Sequence, residues 1–177
     1  MTRSPRAAAA FFAALAALVA VPAPARATAG DLVCLPPTSS NLTWTPALTA
    51  TPQTVTVKST NLFGPCTSTS HPDITSGTFS GTFTVPGRSC LTLAGSGTAT
   101  STITWNTGQT STLALNFTTA IAGAVYTSVN TGVVTGGLFQ GDTVISDQSG
   151  PATDILTCSL GLGTVSSLTT VGTITFA

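Results

Sequence analysis

The sequence predicts an all-β domain: an antiparallel meander closing into a barrel or barrel-like sandwich of about seven to nine strands. Three observations point there. Thr, Val, Ile and Phe, which favour a pleated and half-buried surface, recur throughout the chain beyond residue 27. Apolar and hydroxyl residues alternate with a period of two in several runs, and no stretch beyond residue 27 has a 3.6-residue apolar period. Gly-containing turn signals separate those runs. An immunoglobulin-like sandwich is the alternative, because Cys90, Trp105 and Cys158 follow a Cys…Trp…Cys order. Leu156, however, stands two before Cys158, where the tyrosine corner of that fold places Tyr.

Residues 1–27 read as a secretory signal peptide. Arg3 and Arg6 precede an unbroken apolar run of 15 residues, Ala7 to Val21, and Ala25-Arg26-Ala27 supplies small residues for cleavage before Thr28. The run falls short of the roughly 20 residues that span a bilayer, which sets a membrane anchor behind the signal reading. Residues 28–52 are broken by Pro36-Pro37 and Pro46 and are expected to be an irregular lead-in. Residues 53–177 are expected to form the single all-β domain.

Within that domain, Phe79, Phe83 and Val85 alternate with Thr78, Ser80, Thr82 and Thr84. Ala99, Ile103 and Trp105 alternate in the same way with Thr98, Thr100, Thr102 and Thr104. Leu113, Leu115 and Phe117 share the next face. Val125, Val129 and Val133 share the one after, which leaves Tyr126 on the opposite, outer side. Asn106-Thr107-Gly108-Gln109, Ala122-Gly123 and Gly136-Gly137 mark the reversals, so Gly95 to about Ser146 reads as four consecutive strands. Asp147–Gly163 is expected to be a long connection before a last strand that turns Ile174 and Phe176 inward.

The whole chain carries a formal net charge of 0, with 6% charged and 42% hydrophobic residues. That is too apolar for intrinsic disorder and too neutral for a nucleic-acid binder, which needs a basic patch. Beyond residue 27 only Lys58 and Arg88 face Asp31, Asp73, Asp142, Asp147 and Asp154, and Glu is absent. No later apolar run is long enough for a transmembrane span. The protein is therefore expected outside the cell, with no membrane span after cleavage and no nucleic-acid partner.

Cys34, Cys66, Cys90 and Cys158 are an even set in an exported chain, which points to disulfides. Three pairings are possible. Cys34–Cys66 with Cys90–Cys158 is the favoured one, because the first encloses the Pro-rich lead-in and the second ties an early strand to a late one. Zinc is disfavoured, since no C-x-x-C occurs and His71 is the only histidine. No metal or cofactor is expected. Asp142, Asp147 and Asp154 could approach a calcium ion, but the spacing of a calcium-binding loop is absent.

His71, in Thr69-Ser70-His71-Pro72-Asp73, is the single candidate general base near neutral pH, and no G-x-S-x-G accompanies it. No catalytic residue is assigned. Asp142, Tyr126 and Trp44 are the candidate ligand or ion contacts. Asp142 stands in the distinctive Gly137-Leu138-Phe139-Gln140-Gly141-Asp142-Thr143, and Tyr126 and Trp44 are aromatics not committed to the core.

The Ala-rich leader, the four cysteines, Trp105-Asn106-Thr107-Gly108-Gln109-Thr110-Ser111, the Gly132–Thr143 segment and Gly172-Thr173-Ile174-Thr175-Phe176 together resemble a group of small exported proteins of high-GC Gram-positive bacteria. The resemblance covers most of the chain beyond residue 27. It implies an exported all-β domain and carries over no catalytic residue. The expected function is binding of a small apolar ligand or a cell-envelope component. A small hydrolase using His71 with an Asp, and a structural or adhesive surface protein presenting its Thr rows, are the alternatives.

Overall fold

The computed structural model describes residues 31–177, so the expected signal segment lies outside the described residues. The elements in chain order are β1 (Leu32–Leu48), β2 (Gln53–Phe63), β3 (Cys66–Ser68), β4 (Gly77–Arg88), a 3-10 turn (Cys90–Thr92), β5 (Gly95–Trp105), β6 (Thr110–Ala122), β7 (Val125–Gly137), β8 (Thr143–Pro151), α1 (Thr153–Ser159) and β9 (Val165–Phe176). Eight strands close into one antiparallel barrel, in the order β1-β2-β4-β5-β6-β7-β8-β9, with β9 returning to β1. This single closed sheet replaces the two-sheet immunoglobulin-like alternative. The short β3 adds to β1 beyond the reach of β2, pairing Leu32–Cys34 while β2 pairs Ser39–Thr45.

Residues 28–52 are not an irregular lead-in: Leu32–Leu48 is the longest strand and the one that closes the barrel. Its prolines fall where the β1–β9 register slips, between Cys34 and Thr38 and between Thr43 and Leu48. A proline lacks the N–H of a ladder bond, and a register slip is where that loss does least harm. Asp147–Gly163 also departs from expectation. β8 continues to Pro151, and α1 then crosses the barrel end with Ile155 and Cys158 buried.

The expected inward faces of β5, β6 and β9 are as read, with Ile103, Trp105, Leu113, Ile174 and Phe176 buried, whereas on β4 Phe79 and Val85 are half-buried and Phe83 is 47% exposed. β7 is inverted. Val125, Val129 and Val133 are exposed, whereas Tyr126 is buried. Its inward face runs Tyr126, Ser128, Asn130, Gly132, Val134, so polarity misreports direction where the barrel's middle is itself polar.

Two apolar clusters plug the ends. One gathers Trp105, Phe139 and Phe176, whose ring centroids lie 5.5–5.8 Å apart, with Phe63, Leu32 and Ile74. Trp105 Nε1 donates to Ser111 Oγ at 2.8 Å, which donates to Leu138 O at 2.6 Å, so the buried indole N–H is satisfied. The other cluster sets Ile155 and Cys158 of α1 against Trp44, Leu48, Leu93 and Val165. A disulfide sits in each: Cys34–Cys66, between register partners on β1 and β3, and Cys90–Cys158, from the 3-10 turn to α1.

The barrel is tight at β9. Gly172 faces the Asp147 carbonyl on β8 so closely that a side-chain carbon has no room, and that obstacle is rigid backbone. Gly172→Ala is therefore expected to cost about 3 kcal/mol or more, read as a lower urea midpoint at unchanged m-value.

Candidate ligand cavity

Seven of the eight barrel seams are laddered along much of their length. The eighth is not. β4 and β5 pair only at Gly77–Trp105 and Thr78–Thr104, against ten register pairs for β5–β6 and twelve for β6–β7. Beyond Thr78 the strands part, and a lateral slot leads into the barrel. Leu93 and Gly95, at its far end, are fixed by the Thr119 hydroxyl, which donates to their carbonyls at 2.8 and 3.1 Å.

Behind the slot lies a cavity of about 370 Å³. Its walls differ by strand. β4, on one side of the slot, contributes Phe79 and Phe83; β5, on the other, contributes Ala99, Thr100 and Ser101; and β6, next to β5, contributes Leu115 and Phe117. The far wall, from β7 and β8, contributes Ser128, Asn130, Ser146 and Gln148, and β2 adds Ser59 and Asn61. Some of these polar groups bond one another. Thr170 Oγ1 donates to Gln148 Oε1 at 2.8 Å, and Ser59 Oγ donates to Asn61 Oδ1 at 3.3 Å. Three amide side chains still line the space, offering both donors and acceptors. The Phe117 ring lies over Gly97 and the Phe79 ring over Gly81, where any β-carbon would press on the ring.

Arg88 and Tyr126 also line the cavity. Arg88 Nη1 donates to Thr92 O at 2.6 Å. Burial lowers the pKa of the guanidinium from its ordinary value, and the nearby Tyr126 phenol acts in the opposite sense. Burial raises the Tyr126 pKa, against the lowering effects of its hydrogen bond with Thr119 and of Arg88.

Of the residues expected to contact a ligand, Tyr126 and Trp44 both border the cavity, Trp44 at its apolar end. Asp142 does not. It lies beyond β7's Val134, whose backbone N–H donates to the Asp142 carbonyl at 2.9 Å, at the end plugged by Phe139. Asp147 points outward from β8 and Asp154 opens α1, so the three aspartates do not converge. Among the described residues no group of three or more His, Cys, Asp or Glu side chains is placed to hold a metal ion. His71 packs edge-on against Phe139, with centroids 5.2 Å apart, and its backbone N–H donates to Ser68 Oγ at 2.9 Å.

The sequence reading missed Arg88, Ser59, Asn61, Ser128, Asn130, Ser146 and Gln148. The available signal was parity: Ser59 and Asn61 follow Val55 and Val57 on the same alternate positions of one strand. A hollow of about 480 Å³ on the outer wall, over Thr98, Thr100, Asn116 and Val133, is open to solvent and holds no aromatic or ionisable side chain.

Asp142 is 3% exposed, and its Oδ2 has no hydrogen-bond partner. Burial raises its pKa first, then the like charge of Asp31 and a hydrogen bond with it, while His71 pulls the other way. The folded state thus holds this proton more tightly than the unfolded chain does. Stability falls as pH rises from the unfolded carboxyl's pKa through the folded one, and stays lower above it. Asp142→Asn is expected to raise Tm at pH 7 by about 2–4 °C, and to lose that advantage near pH 3, in thermal unfolding followed by circular dichroism.

No protein-family model matches the chain, and neither a curated protein nor a solved structure matches it.

Proposed function

We propose that this protein is an exported carrier that holds one small amphipathic molecule inside its barrel, taken up through the slot between β4 and β5. The observation that carries this reading is the cavity of about 370 Å³, with aromatic rings beside the slot and hydroxyl and amide groups behind. That volume lies at the small end of the range for small-molecule sites, and convergent polar groups in a mainly apolar lining are their usual make-up. Both barrel ends are filled with side chains, which leaves the slot as the route of access.

The purely apolar ligand expected from the sequence fits less well. Asn61, Asn130 and Gln148 each make one bond to a neighbour, and a purely apolar ligand would leave their remaining donors and acceptors facing hydrocarbon, which is costly. A molecule with one apolar and one polar part meets both walls.

Export is supported by the signal-like residues 1–27 and by two disulfides, which persist in oxidising compartments. Among the described residues no helix is long and apolar enough to cross a membrane.

The neutral fluorescent probe N-phenyl-1-naphthylamine tests the reading. It is expected to bind at one molecule per chain. Ala99, inward on β5 at the slot, is exposed, so a larger side chain there enters the slot without disturbing either plug. Ala99→Trp is expected to weaken probe binding about tenfold or more while Tm moves by no more than about 2 °C. Failure of the wild-type protein to take up both this probe and its anionic counterpart 1-anilinonaphthalene-8-sulfonate, or uptake indifferent to Ala99→Trp, would overturn the proposal.

A further inference from the structure

We infer that Arg88, beside Tyr126, forms an anion-binding subsite at one end of the cavity, and that the ligand is a small organic acid whose headgroup sits there while its apolar body lies against Phe83 and Phe117. This rests on the carrier reading and narrows it to a ligand class.

The described chain has two basic side chains, and they are placed very differently. Lys58 is exposed on the outer face of β2. Arg88 is half-buried at the end of β4 and turned to the cavity. Solvent would hold a guanidinium more cheaply, and a buried one ordinarily has a carboxylate partner. Here the ionisable group that acts on Arg88 is the Tyr126 phenol and, among the described residues, not a carboxylate. Asp31 and Asp142 neighbour each other, Asp142 at the opposite plug, and Asp147 points outward.

The hydrogen bond from Nη1 to Thr92 O uses one donor of a planar five-donor fork. That bond and the 3-10 turn hold the guanidinium, and Tyr126 is fixed within the apolar cluster with its hydroxyl toward Thr119. The remaining donors suit an oxyanion, for which an arginine fork is the usual partner. The polarity of the lining agrees. Phe83, Phe117 and Arg88 line the same cavity.

Two probes with the same aromatic body separate the headgroup from the cavity: 1-anilinonaphthalene-8-sulfonate, an anion, and N-phenyl-1-naphthylamine, its neutral counterpart. The full mature protein is expected to bind the sulfonate about tenfold or more tightly than the neutral probe. That advantage is expected to shrink as salt rises. In Arg88→Gln the ratio of affinities should fall to about one, and Arg88→Lys, which keeps the charge, should restore part of it. Circular dichroism and Tm of each variant report folding separately. Equal wild-type affinities, or a ratio unchanged in Arg88→Gln while Ala99→Trp blocks both probes, would overturn the anion subsite and leave the carrier reading standing. Failure of both probes to bind would overturn both.

Discussion

Beyond Thr78, β4 has a ladder partner on one edge only, and the facing edge of β5 is in the same position. A closed antiparallel barrel exists because it leaves no such edges. Here closure is complete at seven seams and stops after two residue pairs at the eighth. The tie between the parted strands is the stretch from Arg88 to Leu93, and it is anchored at several points. Cys90 is bonded to Cys158 of α1, and its N–H reaches Thr49 O at 3.0 Å. Ser89 and Thr92 close on each other through backbone and side chain. These contacts fix the far end of the slot without a ladder across it. An exposed pair of strand edges invites association with other chains, and the Phe83 and Phe117 rings beside it make this the part of the barrel wall most in need of an occupant.

The interior follows from the same geometry. A barrel filled throughout by Val, Ile and Leu would draw the slot shut over a dry core. Instead the apolar side chains are divided between two ends, and the middle carries Ser59, Asn61, Ser128, Asn130, Ser146 and Gln148. Such groups need partners. Gln148 has Thr170, and Ser59 has Asn61, but the inventory of amide donors and acceptors exceeds the bonds made among them. The rest are left for water or, on the carrier proposal, for a polar ligand group.

This division explains where the sequence was legible. Strands whose inward positions belong to an apolar plug announced themselves: Ile103 and Trp105 on β5, Leu113 on β6, Ile174 and Phe176 on β9. The disulfide pairing is the favoured one, but not for the expected reason: Cys34 lies on a regular strand, and Cys90 and Cys158 lie in the 3-10 turn and α1 and not on an early and a late strand. β7 misled because its inward run of Ser128, Asn130 and Gly132 crosses the polar middle, so its outward valines made the stronger pattern. β8 beyond Ser146 was hidden for the same reason, and β1 was hidden by prolines that sit in register slips. Residues that line the cavity are thus the ones that alternation describes worst. Arg88 carried no pattern at all. Its place is set by the 3-10 turn, a contact between residues four apart that hydropathy does not encode.

The covalent links respect the same layout. Cys34–Cys66 fastens β1 to β3 within one plug, and Cys90–Cys158 fastens the 3-10 turn to α1 within the other. Neither spans the parted edges of β4 and β5. Constraint is concentrated where the barrel is solid, and the slot is bounded by side chains that rest on glycines, Phe79 over Gly81 and Phe117 over Gly97. Without a β-carbon at Gly81 or Gly97, each ring packs directly on the backbone. The two stapled ends keep the barrel's register on either side of the slot. The disulfides and the apolar clusters thus sit at the two ends, and this leaves room for a polar, incompletely filled middle in a domain of this size.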